Sequence, residues 1–182
     1  MISPRQLALM VLKGAEIEQP ATKKPGKSRT ASAFEMVDRQ AETAAVSASV
    51  RDGRLVEIAF SGFRPLPWNA LYAAVKHWQR KRLTERYRAP LAAFLLRRAG
   101  DWQPHAGPVG LRVTVLQSQN LIDVENVCIK PLIDLLTKGQ PGAALVDDSP
   151  AWVPWLTVSV EQRAGEPALN IEFVETRGGI NG

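Results

Sequence analysis

The segment from Val109 to Val115 constrains the fold of this 182-residue chain most, because its apolar and polar residues alternate strictly. Successive side chains of a β-strand point to opposite faces of a sheet, so this period of two predicts a strand with one buried face. A second strand is predicted from Arg54 to Ser61, where an apolar pattern ends at Gly62. Residues 155–161 and 169–174 also alternate, and the Gly- and Pro-containing stretch between them predicts a closing hairpin.

Helices are predicted between these strands. One begins near Thr84, contains an apolar run after Pro90 and ends at Gly100. Another follows Asn126 as its N-cap, with Gly139 as its C-terminal stop. Strands interleaved with helices predict an α+β fold, a single domain with a mixed β-sheet flanked by helices.

The segment before Thr84 has two parts. Pro65 and Pro67 exclude a helix interior or a central strand, so residues 63–69 are expected to form an extended loop. Residues 70–82 favour a helix by composition, although the propensity signal is not decisive. In the later helix, Pro131 must lie near the first turn.

An N-terminal extension is expected over residues 1–50, followed by the folded domain over residues 51–182. Residues 3–14 predict a short helix, because a Ser-Pro start and a Lys-Gly end bracket an apolar run. Residues 20–32 are rich in turn formers and positive charge, and predict a flexible basic linker. Residues 33–50 are rich in alanine and are compatible with a weak helix.

One cysteine, Cys128, and two histidines, His77 and His105, limit the chemistry that the chain can perform. A lone cysteine forms no internal disulfide or thiolate zinc cluster, and we expect Cys128 to lie in the core. Two histidines leave almost nothing for a multi-histidine metal site or a Ser-His triad. Glycine-rich phosphate loops are absent. Carboxylate chemistry is what remains.

No stretch approaches the roughly 20 apolar residues that span a bilayer. The short apolar run near the start lacks a convincing secretory cleavage site, so a cytoplasmic protein without a membrane partner is expected.

Positive charge is concentrated in one part of the chain. The net charge is +5 and the pI is about 9.7, but residues 64–98 alone contain nine lysines and arginines against one acid, Glu85. Such a surface attracts phosphates, although it could also be a solvated face without a partner. Trp68, Trp78 and Tyr87 lie among these charges, where their rings either stack on unpaired bases or anchor the segment to the core.

Acidic residues are concentrated just after the Val109–Val115 strand. Asp123 and Glu125 are two residues apart, so on extended chain both carboxylates would project to the same side. Mg²⁺ binds oxygen ligands and keeps several waters, and two or three carboxylates with a substrate phosphate complete such a site. A nearby lysine such as Lys130 can stabilise negative charge. Taken alone, an Asp-x-Glu pair is more often a pair of surface acids.

The order of these residues makes the chain, from about residue 54 to 175, resemble the RusA-type Holliday junction resolvases, which are common in phages and prophages. That family carries a D-x-D-N motif, a helical lysine, an aspartate one turn later and a D-D pair that opens a strand. Asp123, Glu125 and Asn126 match the first motif. The positions that match the rest of the pattern are Lys130, Asp134, Asp147 and Asp148. Upstream, residues 65–69 with Tyr72 resemble the P-P-S-x-N-x-x-Y segment of the family.

Three departures separate the chain from the family pattern. Glu125 stands where aspartate is usual, and Lys130 lies one residue further from Asn126 than expected. The segment from Asp134 to Asp148 is also a few residues longer. An extra residue in the first turn of a helix rotates the side chain by about 100°, so Lys130 is the transfer most in doubt.

The resemblance implies a Mg²⁺- or Mn²⁺-dependent endodeoxyribonuclease, a homodimer that resolves four-way DNA junctions in recombination and repair. It implies Asp123, Glu125 and Asp148 as metal ligands, with Lys130 as a fourth catalytic residue. Three residues would support them, namely Asn126, Asp134 and Asp147. The expected DNA contacts are Arg64, Asn69, Lys76, Arg80, Lys81, Arg82 and Arg86. The family also tends to form a hairpin where residues 70–82 lie.

Two alternatives stay open at this point. The chain could be a catalytically silent DNA-binding or architectural relative of these nucleases, with Glu125 and the displaced Lys130 as marks of decay. Alternatively, the acids are solvated and the basic face contacts another protein.

Overall fold

Five strands form one mixed sheet in the computed structural model, which describes residues 29–72, 76–119 and 121–176. The strands are β1 (Ala45–Arg51), β2 (Arg54–Ser61), β3 (Val109–Gln117), β4 (Leu156–Gln162) and β5 (Ala168–Glu175). Their spatial order is β1-β2-β5-β3-β4, with β3 parallel to β4 and every other neighbouring pair antiparallel. The predicted α+β fold with a mixed sheet is confirmed.

Four α-helices accompany the sheet in the described part of the chain. They are α1 (Arg29–Thr43), α2 (Trp68–Tyr72), α3 (His77–Arg97) and α4 (Lys130–Ile133). Two 3₁₀ turns, Val124–Asn126 and Asp134–Leu136, flank α4. None of the described helices has the length and apolar content needed to cross a membrane. The predicted helix at residues 3–14 and most of the predicted linker lie outside the described residues.

The core lies where α3 packs against the sheet. The inward residues Leu111, Val113 and Val115 of β3 are fully buried, as the alternating pattern predicts. From α3, one face contributes Leu83, Tyr87, Leu91, Phe94 and Leu95. Burying a side chain of this size contributes about 1.5–3 kcal/mol, so this contact holds the helix to the sheet.

The long helix α3 corrects two expectations. It runs unbroken through Pro90, which is buried, and so it begins well before the predicted start at Thr84. Residues 70–72 and 77–82 are helical and no described residue of this range lies in a strand, so the hairpin that the resemblance implied there is wrong. The apolar face of α3 explains both results, because its burial offsets the backbone hydrogen bond that Pro90 cannot donate.

The predicted hairpin between β4 and β5 is wrong, although both strands exist. β3 lies between them and pairs with β4 on one side and β5 on the other. The connection therefore passes over the end of β3, where the Arg163 amide donates to the Gln117 carbonyl at 3.0 Å. Alternation in the sequence shows that a segment is a strand, but it does not identify the partner strand.

The sheet begins earlier along the chain than expected. Residues 45–51 form the edge strand β1 instead of part of a weak helix, and they pair with β2 from end to end except at Val56, where the register shifts. The expected helix is right for α1, which ends at Thr43. The sheet thus extends across residue 50, where the N-terminal extension was expected to end.

Candidate active site

The acidic segment is attached to the end of β3 by a buried side chain. Gln117 is only 2% exposed, and its Oε1 accepts a hydrogen bond from the Ile122 amide at 3.1 Å. Asp123 then has an extended backbone, and the 3₁₀ turn begins directly after it. The Asn126 amide closes this turn by donating to the Asp123 carbonyl at 2.8 Å.

Asp123 and Glu125 do not project together from a strand end, so this prediction is wrong. β3 ends at Gln117, and Glu125 lies inside the 3₁₀ turn. Asp123 has an extended backbone and Glu125 lies in the turn, so the alternation of an extended strand does not relate their two side chains. Both acids are exposed. Asn126 ends the turn and is not the N-cap of the next helix, which begins at Lys130.

Backbone pairing joins the acidic segment to the proline-containing loop upstream. Pro67 and Val127 form an isolated antiparallel bridge, and the Cys128 amide donates to the Leu66 carbonyl at 3.0 Å. The buried Tyr87 hydroxyl donates to the Cys128 carbonyl at 2.8 Å and so attaches both segments to α3. Two stretches separated by some sixty residues in sequence are therefore held side by side.

A cavity of about 440 Å³ opens beside this junction. Its lining includes Asp123 and Asn126 from the acidic segment together with Arg64 and Asn69 from the upstream loop. Four of the residues predicted for the site, from two separate segments, thus share one cavity. α1 also contributes to the lining, through Ser32, Ala33 and Met36.

Lys130 joins a second group of predicted residues. Its ammonium forms an ion pair with Asp134 at 2.8 Å and another with Asp148. The Asp148 amide in turn donates to the Asp147 carboxylate at 2.8 Å. Despite its displacement by one residue, Lys130 therefore contacts two acids of the same motif pattern, Asp134 and Asp148.

Asp148 does not open a strand, which corrects the sequence-based expectation. It lies in the loop between α4 and β4, and β4 begins only at Leu156. The loop is held by the parallel bridge between Thr137 and Leu145. The predicted helix from Asn126 to Gly139 is likewise shorter than expected, because α4 covers four residues and continues as a 3₁₀ turn. Pro131 does lie in the first turn of α4, as predicted.

The carboxylates fit Mg²⁺ in the kind of ligand that they offer. Within the described residues, no group of three or more acids, histidines or cysteines is arranged to hold one ion. Mg²⁺ is usually bound by only one or two carboxylates, with waters and phosphate oxygens in the other positions. Exposed oxygens of Asp123 and Glu125 meet that requirement, whereas Asp148 is already neutralised in part by Lys130.

The predicted DNA-binding residues on α3 fall into two sets. Lys81 and Arg82 are exposed on the helix, and Lys76 is exposed just before it. Arg86 instead forms an ion pair with Asp38 of α1, which connects the two helices.

Arg80 is also engaged within the protein. Its guanidinium lies 4.9 Å from the ring centroid of Tyr72, and its Nε is buried without a hydrogen-bond partner.

The three aromatic residues of the basic segment have different surroundings. Tyr87 is buried in the core and is not available for stacking on a base. Trp68 is half-buried and packs on Tyr72 with ring centroids 5.2 Å apart. Trp78 is 59% exposed. Tyr87 therefore anchors the segment to the core, whereas Trp78 has the exposure that stacking on a base requires.

Burial dominates the ionisation of the groups behind the site. Burial raises the pKa of the Tyr87 hydroxyl far above its usual range, and the neighbouring Cys128 adds to this shift. The pKa of the Cys128 thiol rises to about 12, mainly through burial and secondarily through the Asp134 carboxylate. The expectation that Cys128 is a core residue is confirmed. It is a neutral thiol at physiological pH.

The contribution of α1 was missed from the sequence. Ala33, Val37 and Gln40 are its buried residues, at the i, i+4 and i+7 spacing of a helix that packs on one side. This spacing is readable in the sequence and could have identified the packed face. The cavity wall itself depends on where α1 docks, which no local pattern specifies.

Comparisons with known proteins give no name for this arrangement. No family model matches the chain, and neither the curated proteins nor the solved structures contain a match. The similarity to the RusA-type resolvases stays a prediction based on the order of motif residues. Any function must therefore be argued from the site itself.

Proposed function

We propose that this protein is a metal-dependent endodeoxyribonuclease that cuts branched DNA, including four-way junctions, by phosphodiester hydrolysis. The observation that supports it best is the shared cavity, because Asp123 and Asn126 of the acidic motif line it together with Asn69 of the upstream motif and the expected DNA contact Arg64. A carboxylate and a guanidinium in one cavity are suited to a phosphodiester accompanied by a cation. Branched cellular DNA as substrate implies a cytoplasmic location in a bacterium or in a phage-infected cell.

Mg²⁺ or Mn²⁺ would be held by one or two of the predicted carboxylates, Asp123, Glu125 and Asp148, because no three such groups are brought together among the described residues. Such an ion, when bound, activates water and neutralises charge on the scissile phosphate. Lys130 holds Asp148 and Asp134 by ion pairs, and its side chain is 53% exposed, which leaves it accessible to an incoming phosphate. Asn126, Asp134 and Asp147 support this group through the turn, the ion pair and the amide contact described above.

DNA would be gripped by the exposed basic residues of α3. Lys76, Lys81 and Arg82 are exposed, and each phosphate that they neutralise releases counterions and strengthens binding at low salt. A four-way junction presents two equivalent strands to be cut, which a symmetric pair of chains would match. We therefore include a homodimer in the proposal.

Cleavage of a synthetic four-way junction tests the proposal. Asp123→Asn and Asp148→Asn should each lower the rate with Mg²⁺ by roughly 100-fold or more, since even an outer-shell partner of a metal ligand is worth 10–100-fold. Junction binding should be kept, because removing negative charge does not weaken attraction to DNA.

Asp52→Asn is the matched control for these two variants. Asp52 lies in the β1–β2 turn, at the end of β2 far from the proline-containing loop. Its backbone is left-handed with φ of 51°, a conformation that asparagine also tolerates. Undiminished cleavage by both Asp123→Asn and Asp148→Asn would overturn the assignment.

The ion pairs of Lys130 favour a second candidate, a catalytically silent DNA-binding protein. In that case Lys130 permanently neutralises Asp134 and Asp148, and the group is structural. The wild-type protein would then bind junctions without cutting them in either Mg²⁺ or Mn²⁺. The same labelled junction, incubated with each ion, separates the two functions.

A further inference from the structure

The cavity beside Asp123 has two chemically different parts. Part of its lining is apolar and includes Met36 from α1 together with Leu66 and Ile122. Its polar lining includes the side-chain amides of Asn69 and Asn126. At about 440 Å³ the cavity falls within the range of small-molecule sites, which is roughly 300–1,000 Å³.

The apolar lining and the two amides suit a planar heterocycle better than an aliphatic chain, and the Asp123 carboxylate and the Arg64 guanidinium suit the phosphodiester next to it. A base has apolar faces that pack against side chains such as Met36 and Leu66. Its edges carry donors and acceptors, which the amides of Asn69 and Asn126 can match because an amide provides both. An aliphatic ligand would leave these amides unpaired, and a phosphate would gain nothing from the apolar lining.

We infer that this cavity accepts one unpaired nucleobase of a DNA strand, with Met36 of α1 limiting the room for it. That this base would lie next to a scissile phosphate rests on the proposed function, because Asp123 lines the cavity and is also a proposed metal ligand. Base binding itself requires no cleavage. The energy needed to expose a base is smallest where pairing is already broken, as at a branch point, so the cavity favours branched DNA over uniform duplex.

The role of α1 follows from this assignment. α1 precedes the part of the chain that resembles the resolvases, yet it contributes three residues to the lining of the cavity. It is held in place through Val37, which is fully buried, and by the ion pair between Asp38 and Arg86. α1 thus limits which base the cavity accepts, and this role does not involve the acidic residues.

Binding in EDTA tests this inference, because no cleavage occurs without a metal ion. The probes are a fluorescent oligothymidylate and an abasic oligonucleotide of the same length and charge. Wild-type protein should bind the thymidylate roughly tenfold more tightly, as contacts to one base typically provide. Met36→Trp, which fills the cavity, should abolish this preference and retain the affinity for the abasic strand. Met36→Leu keeps a similar volume and should behave as wild type.

Two further variants keep the test decisive. Asn69→Ala changes an exposed residue and should reduce the preference about threefold without a risk to folding. Trp78→Ala removes the exposed tryptophan of α3 and should leave the preference for the thymidylate intact. A wild-type protein without preference, or a preference that survives Met36→Trp and is lost in Trp78→Ala, would overturn the inference. Failure to cut a junction in Mg²⁺ would overturn the proposed function and leave the EDTA result unchanged.

Discussion

The sheet and the loops that carry the acids are stabilised in different ways. β3 is hydrogen-bonded on both sides, to β4 and β5, along nearly its whole length. The segment between Gln117 and Leu156 instead depends on separate long-range contacts, such as Tyr87 to Cys128 and Trp102 to the Gly142 carbonyl. A ladder distributes its energy over many bonds, whereas a loop loses its geometry when one contact is removed.

Because of this difference, we expect a substitution to affect either the stability of the fold or the geometry of the site. Substitutions that disturb the sheet should unfold the protein, and those that disturb loop contacts should displace the site within a folded protein. The exposed ion pairs around Lys130 should matter least for stability. The four predictions below test this ranking in that order.

Gly110→Ala is expected to have the largest effect. A Cβ at Gly110 would lie 2.0 Å from the indole ring of Trp155, so the ring must leave the face of β3. Gly110 is buried and Trp155, which is 36% exposed, packs over it, so we expect a loss of about 2–3 kcal/mol in the free energy of unfolding. Urea denaturation measures it. Gly107→Ala is the control, since nothing lies within 4 Å of its Cβ position. Equal midpoints for the two variants would contradict the predicted packing.

Tyr87→Phe should cost about 1–2 kcal/mol, because the buried Cys128 carbonyl loses the hydroxyl that donates to it. The effect should also reach the site: the Cys128 thiol, protected in the wild type, should react faster with a disulfide reagent under native conditions. Tyr72→Phe removes a hydroxyl from a ring that is 51% exposed and should change neither quantity. If the thiol stays equally protected in Tyr87→Phe, this contact does not hold the acidic segment.

Alkaline pH should destabilise the wild type more than Cys128→Ala. Folding raises the pKa of the Cys128 thiol from 9.0 to about 12, so the unfolded chain releases this proton first. The stability contributed by the neutral thiol is complete below pH 9 and is lost as the pH rises toward 12. Between pH 8 and 10 the wild type should lose about 1 kcal/mol more than the variant in urea titrations. Parallel losses in both proteins would show that Cys128 does not contribute.

Lys130→Met should change stability least, by about 0.5 kcal/mol or less, because exposed ion pairs contribute little. The Lys130 side chain is 53% exposed, comparable to Arg112, whose 54% exposed side chain pairs with Glu172 across two strands. Arg112→Met should have a similarly small effect, which thermal unfolding can measure. A large loss in Lys130→Met alone would mean that the acidic loops support the fold after all.

The regular part of the fold was predictable because its signals are local. β2 and β3 were read from alternation, since each has one face in the core, and the apolar run after Pro90 identified α3. The edge strand β1 was missed although Val46, Ala48 and Val50 alternate with serines, because the alanine content of residues 33–50 is also compatible with a helix. Its hydrogen bonds to β2 make it a strand, and no local pattern records them.

The sequence identified candidate residues of the site, but it did not predict how they are arranged in space. The sequence singled out Lys130 and Asp148, but only the fold brings them into contact. The turn at Glu125 was misjudged because the strand was assumed to continue to the acids, whereas it ends six residues before Asp123. The contribution of α1 to the cavity lining could not be predicted, because it depends on where this helix docks in the fold.

The central place of β5 affects how the chain assembles during synthesis. β1 with β2 and β3 with β4 are two separate pairs until residues 168–175 are inserted between them. A ribosome makes those residues after all the others of the sheet, so the growing chain holds two half-sheets with open edges. A nascent chain that stops before Ala168 should therefore associate through those edges, and release of β5 is the step that completes the domain.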